Sequence, residues 1–139
     1  VAAFNKFQDF VESLGLKEHN LNTDTLKIYL TNNAPDAAAD ADKADLVESV
    51  GAGNGYTSGG EDVTNVWSEA AGTGTCAGTD VTWTASGGTI GPFRYVVLYN
   101  DTHASDGLIG WWDYGSSITL ADGEKFEVDF GASLFTVGA

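Results

Sequence analysis

Apolar residues recur at Phe4, Phe7, Val11 and Leu14, with Phe10 widening the stripe. That is the spacing of one face of an α-helix. Gly15 stands where a C-terminal stop belongs. The predicted helix has about three turns, too few to be stable without packing. It either docks on its own domain or reaches a neighbouring subunit as an arm. Beyond it the period changes from helical to two. Leu26, Ile28 and Leu30 alternate along a predicted strand at 25–30, which Asn32, Asn33 and Pro35 end. The stretch 36–50 is rich in Ala and Asp and reads as a short helix or a loop. The glycine-rich run 51–60 reads as a flexible loop.

Further strands are predicted at 63–70, 76–85, 93–100, 108–114, around Ile118 and Leu120, at 126–130 and at 134–137. The run 93–100 is apolar almost throughout, as in a strand buried on both faces. Turns such as Gly87-Gly88, Asp106-Gly107 and Asp122-Gly123 separate these segments. Strands spaced by about ten residues with such turns indicate a mainly β protein. The predicted fold is an antiparallel β-barrel or jelly-roll-like sandwich with a short N-terminal helix. Its organisation is an N-terminal helical arm at 1–20 and a single β domain at 21–139.

Composition narrows the partners. Six basic residues face 20 acidic ones in a chain of 139, a formal net charge of −14. Nucleic acid and anionic membrane surfaces are disfavoured, because both need clustered Lys and Arg. No apolar run approaches the roughly 20 residues that span a bilayer. The N-terminus has neither the charged start nor the apolar stretch of a secretory signal. Val1 is what removal of an initiator Met would leave. The single cysteine, Cys76, excludes an internal disulfide and fits a reducing compartment of synthesis.

Candidate chemistry is sparse. His19 and His103 are far apart in sequence and, with one Cys, form no zinc pattern; both read as solvated loop residues. Asp36, Asp40, Asp42 and Asp45 lack the ligand order and central Gly of a calcium loop and read as a solvated face. No Ser lies in a Gly-x-Ser-x-Gly elbow, and Cys76 reads as a core thiol. No enzyme activity, metal or cofactor is therefore expected. The aromatics carry more. On one strand Trp111 and Trp112 point to opposite faces, and Tyr114 shares the face of Trp112. Exposed, Trp112 and Tyr114 would anchor a protein interface or stack on a sugar; buried, they fill a core.

Four segments occur in order: 53–60 (Gly-Asn-Gly-Tyr-Thr-Ser-Gly-Gly), 81–83 (Val-Thr-Trp), 93–102 and 108–115, followed by Asp122-Gly123-Glu124 and Phe126. Together they resemble small structural proteins of tailed bacteriophages, of the head decoration (cement) type. The resemblance covers roughly 25–137. It implies a β-barrel or jelly-roll domain on the capsid exterior, bound to the major capsid protein, often as a homotrimer, and made in the cytoplasm of a bacterial host. It implies no catalytic residues. The interface residues expected are Phe4, Phe7, Phe10 and Val11 on the arm, with Trp112 and Tyr114 as second candidates. Deletion of 1–14 is expected to lower occupancy on particles without unfolding the β domain. The alternatives are a carbohydrate-binding module, suggested by Trp67, Trp83, Trp111, Trp112 and Tyr114, and a tail or neck component.

Overall fold

A computed structural model describes residues 2–138. The chain runs β1 (Phe4–Lys6), α1 (Gln8–Gly15), β2 (Leu26–Thr31), a 3-10 turn at Lys43–Asp45, and β3 (Glu61–Asp62). It continues through β4 (Val66–Ala70), β5 (Thr73–Ala77), β6 (Val81–Thr84), β7 (Ile90–Asn100), β8 (Leu108–Leu120), β9 (Lys125–Val128) and β10 (Phe135–Gly138). The fold is mainly β, with three antiparallel sheets and one short helix among the described residues. The sheets have the orders β1-β8-β7-β2-β3, β10-β5-β4 and β6-β9. They do not close on one another, so the barrel expected from strand spacing is not formed.

The β7–β8 hairpin is the spine. Its register places Val96 opposite Trp112 and Val97 opposite Trp111. On its other side β7 pairs with β2, Leu30 opposite Val96 and Ile28 opposite Leu98. Alternation then sorts the apolar run as predicted. Val96 and Leu98 join Leu26, Ile28 and Leu30 in the main core, together with Cys76, Val81, Trp83, Val128 and Phe135 from the two smaller sheets. Tyr95, Val97 and Tyr99 face the opposite way, into a second cluster with Phe7, Tyr29, Leu46 and Leu108. This strand is buried on both faces, which is why it reads as continuously apolar.

The second cluster is roofed by the segment after β2. Tyr29 Oη donates to the Leu46 carbonyl (2.6 Å) and Thr31 Oγ1 to that of Val47 (2.8 Å). The run 51–60 is mostly exposed but is tied to the body of the domain at Tyr56 and Gly60. Tyr56 is buried, and a Cβ on Gly60 would lie 2.8 Å from Tyr29 Cα and inside contact distance of the Ile28 carbonyl. Gly60 also has φ +79°, so only glycine fits where this loop crosses β2.

Three other expectations change. The helix starts at Gln8, not Phe4, because 4–6 pair with β8, Phe4 opposite Trp112. Phe7 continues the attachment, its N–H donating to the Ile109 carbonyl at 3.1 Å. The single strand expected at 76–85 is two strands in different sheets. The chain changes sheet near Gly78, where Thr79 N–H bonds the Val63 carbonyl at 2.7 Å. β8 runs unbroken through Gly115 to Leu120, absorbing the expected break by register shifts against β7.

Candidate functional site

A cavity of about 550 Å³ opens between α1 and β10, beside β1. Phe4 and Lys6 line it from β1, Phe10, Val11 and Leu14 from α1. Phe135, Thr136, Val137 and Gly138 line it from β10. The alternation of β1 puts Phe4 and Lys6 on one face. The i, i+1, i+4 spacing of 10, 11 and 14 puts one side of α1 along the wall.

Its floor is aromatic. Phe4 stacks on Phe135 with ring centroids 5.2 Å apart and meets Trp112 edge-on at 5.3 Å. Phe10 packs edge-on against Phe135 at 5.5 Å. The rim is apolar too: Val11 is 56% exposed and Val137 37%. Among the lining residues only Lys6 has a charged side chain. The groove therefore offers mainly apolar contact and backbone, with the Ser133 and Thr136 hydroxyls and the Lys6 ammonium as its polar groups.

Three of the six interface residues expected from sequence, Phe4, Phe10 and Val11, line this groove. Val11 is the one presented to solvent; Phe10 is buried and Phe4 half-buried. Phe7 and Trp112 are not surface contacts. Phe7 is fully buried on the other face of the large sheet, its ring 4.6 Å from that of Trp111. Trp112 is buried behind Phe4. Tyr114 is half-buried and packs edge-on against Phe126 at 5.1 Å. Trp111 and Trp112 do take opposite faces, but both find cover, so they form no open platform. The strand predicted at 134–137 is present as β10, but its place as a groove wall was not foreseen, because four residues without charge, Phe-Thr-Val-Gly, announce a strand and nothing more.

The expected loop histidines are instead brought together. His19 is buried, and its ring stacks against that of His103. Burial and the neighbouring His103 hold His19 below the usual imidazole range, against the opposing pull of Asp24, Glu18 and Asp9. The acidic stretch caps its own turns. Asp36 Oδ1 accepts from the Ala38 and Ala39 N–H groups, and Asp45 Oδ2 from those of Ala41 and Asp42. Those two N–H groups hold the Asp45 carboxyl below its usual range. No group of three or more His, Cys, Asp or Glu among the described residues is placed to hold a metal. Burial pushes the Cys76 thiol up to about 12, which makes it an inert core residue.

A second cleft, of about 390 Å³, contains Trp67, Lys17, His19 and Asn22. The half-buried Trp67 ring lies over Gly74, where any Cβ would strike it. The chain matches no known family model, and neither a curated protein nor a solved structure is significantly similar to it.

Proposed function

We propose that this chain is a structural binding protein of the phage head decoration type, docking on the outer surface of a capsid through the α1–β10 groove. The observation that carries this reading is an apolar groove with an exposed rim on a molecule of net charge −14. A protein so charged repels its own copies in free solution and associates where the surface is complementary. The sequence resemblance described above supports the same class, with the major capsid protein as partner and a jelly-roll-like sandwich as the finer fold. A homotrimer on the lattice would gain avidity from several modest contacts.

The test is the copy number of this chain in purified virions, measured by quantitative mass spectrometry against the major capsid protein. Near-equal numbers are expected. A few copies per particle would move the assignment to tail or neck, and none would overturn it.

Trp67 favours a second reading, a carbohydrate-binding module. Its half-buried indole packs against Gly74 and lines a cleft with Asn22 and Lys17, an aromatic ring in the company of hydrogen-bonding side chains. Trp83 and Trp112 are buried and drop out of that reading. Glycan titration followed at the Trp67 indole N–H by NMR separates the two.

A further inference from the structure

We infer that the groove takes an extended segment of a partner chain, which adds as a strand to the open edge of β10. The inference rests on the reading that this groove is a docking site, but not on the partner being a capsid.

Successive side chains of a strand leave on opposite faces. A cavity bordered by Phe135, Thr136, Val137 and Gly138 in succession therefore runs along the backbone edge of β10, not across one face. β10 is an outer strand, paired only with β5 on its other side. Among the described residues no strand pairs with the edge away from β5, and proteins ordinarily protect such edges with charge, proline or bulges.

The other outer strands have that protection. β1 carries Lys6, β3 is Glu61 and Asp62, and β4 carries Glu69. In the two-stranded sheet β9 carries Lys125 and Glu127, which stand opposite Thr84 and Thr82 of the uncharged β6. β10 has no charge, and neither have its partners Thr73, Gly74, Thr75 and Cys76. Among the described residues, β10 is the outer strand that has no charge on itself or on its pairing partners and that borders an apolar groove.

The occupant follows from this geometry. Four residues of β10 match a partner stretch of about 13 Å in extended form. Main-chain bonds to β10 would supply affinity, and side chains at alternate positions would rest on Phe4, Phe10 and Val11. Lys6 in the lining keeps cations off the middle of the segment. Outside the groove, the net charge of −14 favours cations at the segment's ends. The predicted partner is an extended segment with an apolar centre and basic flanks. A second copy of this chain is excluded as the favoured occupant by the same net charge.

The probe is the synthetic peptide acetyl-Lys-Lys-Val-Thr-Val-Thr-Val-Lys-Lys-amide, titrated into the uniformly ¹⁵N-labelled full chain. Amide shifts are expected at 133–138 and 4–15, with slowed exchange along β10. A peptide with Glu in place of Lys should bind at least about tenfold more weakly, and one with Pro at the central Val, lacking that N–H, likewise. Val137→Asp, at an exposed position, should weaken binding about tenfold while the circular dichroism spectrum stays unchanged. Shifts confined to other residues, or none at millimolar peptide, would overturn the inference. So would equal binding of the Pro peptide, or a concentration-dependent dimer through 133–138. Virion copy number does not enter this experiment, so its failure and that of the capsid reading are separable.

Discussion

The imidazoles of His19 and His103 lie ring against ring, centroids 5.5 Å apart, and join the chain after α1 to the β7–β8 turn. His103 Nδ1 accepts from the N–H groups of Gly107 (3.2 Å) and Ser105 (3.3 Å), so its proton sits on Nε2 and is donated to Glu18 (3.0 Å). His19 Nδ1 accepts from Asn100 Nδ2 at 2.9 Å, which leaves its own proton on the buried Nε2, without a partner. A second proton on His19 would face the Asn100 amide hydrogens and the neighbouring ring.

From this arrangement, stability should fall as pH falls below about 6.5. Unfolded His19 takes up its proton near that value, whereas in the folded state burial and His103 lower its pKa, with Asp24, Glu18 and Asp9 opposing. In the interval between the two values the unfolded state binds more protons, so stability present above the interval is lost as pH falls through it. Urea midpoints at pH 7.5 and 5.5 check this. His19→Gln should flatten the dependence over that range, and an unchanged slope would refute it.

Gly110 tests the attachment of β1. It stands opposite Lys6, and a Cβ there would lie 2.5 Å from the Asn5 carbonyl oxygen and clash with Cζ and Cε1 of the Phe4 ring. Gly110→Ala should displace β1 at a cost of about 1–3 kcal/mol, the usual range for overpacking. Amide exchange at 4–7 should quicken while β2 and β7 keep their protection. Unaltered exchange at 4–7 would mean that β1 tolerates the shift.

Much of the fold could be read from local period. The two-sided burial of β7, the alternation in β2 and the opposed faces of Trp111 and Trp112 all follow from side chains alternating along a strand. What could not be read depends on distant partners. Phe4, Phe7 and Phe10 fit one helical stripe, but β8 offers an edge that takes Phe4–Lys6 into a sheet. Phe7 and Phe10 then go to two different cores. The histidine pair was equally hidden, since nothing near His19 signals that Asn100 and His103 will close over it. Of the groove, its α1 wall was visible as the part of the stripe formed by Phe10, Val11 and Leu14, whereas β10 carries no local mark of being an unprotected edge.

The carboxylate of Glu48 organises the roof over the second cluster. Its side chain is 8% exposed and lies 3.5 Å from Lys43 Nζ. It accepts hydrogen bonds from Tyr56 Oη and from Gly59 N–H, the latter at 3.0 Å. Tyr56 Oη in turn accepts from Leu30 N–H at 3.1 Å, and burial with the adjacent Glu48 raises its pKa, keeping the phenol protonated. Glu48→Ala should cost about 3 kcal/mol, the low end for breaking a buried pair, because Lys43 stays partly hydrated. Tyr56→Phe should cost about 1–3 kcal/mol by leaving Leu30 N–H unsatisfied. Chemical denaturation of both single variants and the double variant should show coupling of about 0.5–3 kcal/mol; strict additivity would contradict a shared network.

Removal of 1–14 separates docking from folding less cleanly than a detachable arm would allow. Phe7 and Phe10 are both buried, in different clusters, and truncating either to Ala should cost about 3–5 kcal/mol. Together that rivals the whole stability of about 5–15 kcal/mol of an ordinary domain. The deleted chain should therefore lose its cooperative unfolding transition, visible by circular dichroism on heating, as well as its place on particles. Val11 isolates the proposed docking role, because it lines the groove yet is 56% exposed. Val11→Asp should change stability by less than about 0.5 kcal/mol, as surface substitutions usually do. On the capsid reading proposed above, it should also lower binding to heads that lack this protein, measured by mass spectrometry after mixing. If the deleted chain still folds cooperatively and Val11→Asp binds fully, residues 4–15 are neither core nor contact, and docking lies elsewhere on the acidic surface.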